Sequence, residues 1–119
     1  MRDDNQIQVI TKAFALRIIR LYIYLKEEKG EYVMSKQLLR SGTSIGANVR
    51  ESINAQSKAD FVNKMNIALK EADETQYWLE LLHESDFINV MEFDSINGDL
   101  SKILGTLTKI IKTSKTNGL

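Results

Sequence analysis

The sequence predicts an all-α protein: an antiparallel, up-down-up-down, left-handed four-helix bundle built as one domain over residues 1–119. Three observations predict it. The 119 residues contain no proline, so nothing forces a break in a long helix. Apolar residues recur every three or four positions through four successive stretches. The links between those stretches are short, which makes neighbouring helices antiparallel.

The first helix is expected over residues 4–29, with acids near its start and Gly30 as its stop. Ile7, Ile10, Phe14, Ile18, Leu21 and Leu25 form its core stripe. A second apolar band runs beside it through Val9, Ala13, Leu16, Ile19, Ile23 and Tyr24. One stripe is enough for a four-helix bundle. The extra band is either buried deeply in its own bundle or covered by another subunit. The second reading is favoured and makes Leu16, Ile19, Ile23 and Tyr24 the candidate oligomer interface.

Ser35 is the expected N-cap of a second helix over residues 35–56. Its central stretch, QLLRSGTSIGANVRES from Gln37 to Ser52, organises the chain. Leu38, Ile45, Val49 and Ile53 share a face, and Gly42 sits among them. Each interior glycine costs roughly 0.5–1 kcal/mol relative to alanine, so Gly42 and Gly46 predict a close-approaching backbone. Arg40, Ser44, Asn48 and Glu51 are spaced by four, four and three and form a polar ridge. A buried polar face needs partners.

Ser57 and Asp60 resemble a capping box opening a third helix over residues 58–84. Phe61, Met65, Ala68, Ala72, Thr75, Leu79 and Leu82 alternate by four and three, the period of left-handed packing. Beside that seam lie Glu71, Glu74, Tyr77 and Trp78. Asn89 with Glu92 caps a fourth helix over residues 90–115, whose stripe is Phe93, Ile96, Leu100, Ile103, Leu107, Ile110 and Ile111. Gly98 and Gly105 weaken that helix, and a break near residues 94–99 is allowed for.

Composition excludes several classes. Without cysteine there is no disulfide framework and no thiolate metal site. No apolar run reaches a membrane span and no signal peptide opens the chain, which makes a soluble cytoplasmic protein the expectation. Sixteen basic residues balance sixteen acidic ones, but unevenly. Residues 61–99 carry nine acids against two bases, and residues 100–119 carry four lysines and no acid. That segregation suits either a local nucleic-acid patch or head-to-tail contact between subunits.

Catalytic signals are weak. Glu80 and His83 have the Glu-x-x-His spacing of di-iron bundles, but one histidine cannot build a symmetric two-metal site within one subunit. His83 is expected instead to meet the C-terminal dipole of its helix. SGTSIG lacks the order of a phosphate loop and sits within a helix. Ser41 and Ser44 have no nearby histidine base, and Glu71 with Glu74 is the remaining acid/base pair. Neither catalytic residues, a metal site nor a cofactor is expected.

Arg40, Ser44, Asn48 and Glu51 instead have the periodicity to face Glu71, Glu74 and Tyr77 as a register-fixing network between helices two and three. The alternative is a ligand-contacting polar pocket. Candidate nucleic-acid contacts are Arg17, Arg20, Arg50, Lys102, Lys109, Lys112 and Lys115. Their competing role is a solvated face, and repetition around a ring would strengthen them.

The stretch QLLRSGTSIGANVRES, Phe61, and IALKEADETQYWLELL from Ile67 to Leu82 resemble the four-helix-bundle proteins encoded in intervening sequences of bacterial 23S ribosomal RNA genes. That family includes the accessory variability determinant of diversity-generating retroelements. The resemblance implies a homopentameric ring and a functional or structural weight on Arg40, Ser44, Asn48, Glu51, Glu71, Glu74 and Tyr77. In the retroelement branch the pentamer is strongly basic and binds nucleic acid and a reverse transcriptase; this chain, with zero formal charge, departs from it. Gly46 stands where many relatives carry proline. The resulting expectation is a non-enzymatic, oligomeric accessory protein that binds RNA or a ribonucleoprotein. The alternative is a scaffold for a protein partner without nucleic acid.

Overall fold

The computed structural model describes the backbone of residues 2–117 and the side chains of residues 5–115. Four helices follow one another: α1 (Arg2–Glu27), α2 (Met34–Ile53), α3 (Lys58–Glu84) and α4 (Val90–Asn117). The acids at the start of α1, Asp3 and Asp4, fall outside the described side chains. Pairwise contacts fix the directions. Gly42 and Gly46 of α2 meet Ile18 and Thr11 of α1, and Glu51 and Ser41 of α2 meet Lys64 and Thr75 of α3. Gln76 and His83 of α3 meet Asn97 and Phe93 of α4, and Arg17 of α1 meets Asp99 of α4. In the first three pairs one number rises as the other falls, so consecutive helices are antiparallel, and α4 therefore runs opposite to α1.

The core is the set of stripes turned inward. Ile7, Phe14, Ile18 and Leu25 of α1 are buried against Leu38, Ile45 and Val49 of α2. Met65, Leu79 and Leu82 of α3, with Leu100, Ile103 and Leu107 of α4, complete it. Each such side chain contributes about 1.5–3 kcal/mol on burial. The small buried residues of α2, Ser35, Ser41, Gly42 and Ser52, let α1 and α3 close in on both sides. The α1–α4 seam is much the thinnest of the four.

The α1–α2 link is a double cap. Gly30 takes φ +63°, and the Glu31 N–H donates back to the Leu25 carbonyl at 2.9 Å, closing the end of α1. The Glu31 carboxylate then accepts the backbone N–H groups of Val33, Met34 and Ser35 at 3.1, 3.0 and 2.6 Å. Ser35, expected as the N-cap, lies inside the first turn and donates its hydroxyl to the Glu31 carbonyl at 2.7 Å. Glu31 replaces it because a carboxylate satisfies three orphan donors where a hydroxyl satisfies one. Burial alone would push the Glu31 carboxyl up, but those donors hold it below its ordinary value.

Other boundaries follow from their caps. Ser57 accepts the Asp60 N–H at 3.0 Å, and Asn89 and Glu92 exchange side-chain and backbone bonds at 2.8 Å, a full capping box. α2 stops at Ile53 rather than near residue 56, with the Asn54 N–H turning back to Glu51. α4 runs unbroken through Gly98 and Gly105, which face open space and interrupt no packing. At the α3–α4 turn Asp86 occupies the left-handed position at φ 68°. His83 does more than meet a dipole: its ring stacks on Phe93 and its Nδ1 lies 3.2 Å from the Ile88 carbonyl.

Candidate functional site

The polar ridge of α2 lies on the flank of the bundle, not within it. Arg40 reaches Glu71 at 3.2 Å and also pairs with Glu74, while its side chain remains 48% exposed. Glu74 additionally accepts the Trp78 indole N–H at 3.0 Å. That bond, and next the Arg40 guanidinium, hold the Glu74 carboxyl below its ordinary range. The rest of the expected network disperses. Ser44 donates to the Arg40 carbonyl and Asn48 to the Ser44 carbonyl, both within α2. Glu51 pairs with Lys64 at 2.9 Å, and Tyr77 stands exposed, edge-on to Trp78.

The buried polar link between α2 and α3 is a different pair. Ser41 and Thr75 are both buried, and their hydroxyl oxygens share a hydrogen bond at 2.9 Å; Thr75 also reaches the Glu71 carbonyl at 2.7 Å. The sequence signal was present in the α3 seam, where Thr75 is the one polar residue among apolar neighbours. Its partner is a serine beside Gly42, where the chain is thin.

The second band of α1 faces outward. Val9, Leu16, Ile19 and Ile23 are 67%, 48%, 37% and 46% exposed. Val9, Leu16 and Ile23 are seven residues apart and Ile19 falls between them, the a/d spacing of a helix that packs on another helix. Tyr24, placed in the same band by sequence, instead packs against the core, with Lys29 over its ring at 5.9 Å. It sits on the α4 flank of α1.

The seven candidate nucleic-acid contacts do not form one patch. Arg17 is committed to α4: it donates to Asp99 at 2.8 Å, to the Ser95 carbonyl at 3.2 Å and to the Ser95 hydroxyl. Arg20 and Lys102 flank this contact, lining an open groove of about 300 Å³ on the α1–α4 seam. Arg50 lies across the molecule, on a groove of about 460 Å³ between α1 and α2 floored by Ala15, Gly46 and Ala47. Lys109, Lys112 and Lys115 extend toward the end of α4.

Among the described residues, no group of three or more His, Cys, Asp or Glu side chains could hold a metal ion. Nor is any described helix long and apolar enough to cross a membrane. The chain matches the family described as 23S rRNA-intervening sequence protein over residues 3–109. It belongs to that family. One solved relative, a protein of unknown function from the S23 ribosomal protein family of Bacteroides thetaiotaomicron VPI-5482, is 55% identical and superposes with a TM-score of 0.92. The similarity covers 92% of this chain and 98% of the relative. No curated protein matches. The match to the 23S rRNA-intervening sequence family reaches from the start of α1 into α4.

Proposed function

We propose that this member of the 23S rRNA-intervening sequence family is a non-enzymatic cytoplasmic assembly module that associates with copies of itself through the outer face of α1. The observation that carries this reading is the exposed row of Val9, Leu16, Ile19 and Ile23 at helix-pairing spacing. Four large aliphatic side chains along one helix are a costly surface for an isolated bundle and an ordinary one for a subunit. The family resemblance implies five copies in a ring.

A second layer of the reading is an RNA-bound role. Arg20 and Lys102 favour it: they flank the α1–α4 seam next to the apolar row, where a ring would repeat them around its axis. The Arg17–Asp99 pair and the zero net charge weigh toward a protein partner instead. Native mass by light scattering, with and without a structured RNA, separates the readings. An oligomer that gains mass with RNA supports the RNA-bound module, and one that ignores RNA supports the protein scaffold. A monomer at every concentration overturns both.

A further inference from the structure

The charges of the bundle are sorted along its long axis. The 28–33 and 85–89 links lie together at one end; the 54–57 turn, the start of α1 and the finish of α4 lie at the other. At the first end, residues 25–36 and 80–94 carry seven exposed carboxylates besides the Glu31 cap, against three lysines. At the second, residues 5–12, 47–64 and 105–115 carry six exposed Lys and Arg side chains. The one exposed carboxylate among these residues, Glu51, is already held by Lys64 at 2.9 Å.

By sequence the second end also includes half-buried Asp60, and Asp3 and Asp4 outside the described side chains; with Arg2 and Lys64 counted it still holds eight bases against four acids. The four helices alternate in direction, so their dipoles cancel and the side chains set the field at each end. The long axis measures 49 Å, whereas charges are screened beyond about 8 Å at physiological salt. Each end therefore acts as an independent patch, and the zero net charge is the sum of two opposite patches. A lysine-rich end meant only for nucleic acid has no use for a matching carboxylate-rich end. A chain that meets its own copies does.

We propose that copies of this chain dock end to end, the carboxylate-rich end of one against the lysine-rich end of the next. The contact is heterologous, so it does not close on two copies and extends as a stack. Opposite patches steer the encounter and fix its polarity, because either end meeting its like is repelled. The contact lies at the tips of the bundle and the α1 row along its side, so the two associations are independent.

Sedimentation of the full chain at about 20 mM and about 500 mM salt tests it. The weight-average mass should roughly double or more at low salt. Glu27→Lys, Glu28→Lys, Glu80→Lys and Glu84→Lys together make both ends basic, and Lys12→Glu, Lys58→Glu, Lys112→Glu and Lys115→Glu together make both acidic; all eight positions are exposed. Each quadruple variant alone should lose the low-salt step with its helix content intact, and mixing the two should restore it. Ile23→Glu, on the side of the bundle, should leave the step in place. Equal mass at both salts overturns the proposal, as does a mixture no heavier than its parts. A low-salt gain that requires an added RNA hairpin also overturns it, assigning the lysine-rich end to nucleic acid.

Discussion

Glu31 and Ser35 hold each other across the α1–α2 turn: the carboxylate accepts the Ser35 N–H at 2.6 Å while the Ser35 hydroxyl donates a hydrogen bond to the Glu31 carbonyl at 2.7 Å. Glu31→Ala removes the acceptor for three backbone donors and should cost about 2 kcal/mol in denaturant unfolding; Glu31→Gln should cost about half as much. The folded carboxyl lies below its ordinary value of 4.5, so the unfolded chain binds the proton more readily. The contribution of Glu31 is therefore complete above that value and is lost as pH falls through the lower folded one. Glu31→Gln should flatten that part of the acid-unfolding curve.

Glycines divide by what surrounds them. A Cβ on Gly42 would sit 2.9 Å from both Cγ atoms of Ile18, which is β-branched and buried and has little room to turn. Gly42→Ala should destabilise by about 1–3 kcal/mol despite its better helix propensity, and Ile18→Ala, which removes both Cγ atoms, should cost less beside Gly42→Ala than in the parent chain. Gly98 and Gly105 meet nothing, so alanine at either should stabilise by about 0.5–1 kcal/mol. Thermal melts of the three variants would show opposite signs.

Thr75→Val should cost about 1–2 kcal/mol, since it removes the hydroxyl that bonds buried Ser41 from α3 and leaves Ser41 only its long 3.5 Å bond to the Leu38 carbonyl. Arg40→Ala should cost less than about 1 kcal/mol, because that network is solvated. Asn48→Leu should be close to neutral, its one bond lying within α2. A double-mutant cycle on Ser41 and Thr75, set against one on Arg40 and Glu74, measures the contrast.

Trp78 is the single tryptophan and bonds directly to Glu74 at 3.0 Å. Its emission should titrate with that carboxyl at a midpoint below the ordinary 4.5, since the indole N–H and the guanidinium both favour the charged form. Arg40→Ala should move the midpoint upward. A fluorescence titration of both proteins reads this directly.

Ile19→Glu or Ile23→Glu should split the proposed α1-mediated assembly into folded monomers of unchanged helix content, because both side chains point to solvent in the single bundle. Light scattering paired with circular dichroism checks it; loss of helix on substitution would place these residues in the core of their own chain.

Periodicity made the helices legible. The stripes of α1, α3 and α4, the Asn89–Glu92 box and the Gly30 stop all follow from local spacing, and the geometry of each is local. What escaped is what depends on a second segment. The ridge of Arg40, Ser44, Asn48 and Glu51 shares a face, but spacing does not say whether that face points inward or along a flank. Glu31 caps a helix from outside it, where a search for hydroxyls at the first position does not look. Tyr24 and Ile23 are adjacent in sequence, yet a rotation of about 100° per residue carries one toward α4 and the other to solvent.

The α1–α2, α2–α3 and α3–α4 contacts each join consecutive helices, so each forms at the cost of closing one short loop. The α1–α4 seam joins the two extremes of the fold and is pinned by Arg17 to Ser95 and Asp99. Closing it is the one step that must gather nearly the whole chain, which places it last in folding and first in opening. Amide protons of α1 and α4 facing this seam should therefore exchange ahead of those on α2 and α3. The fold thus has a built-in order of release, from the seam inward.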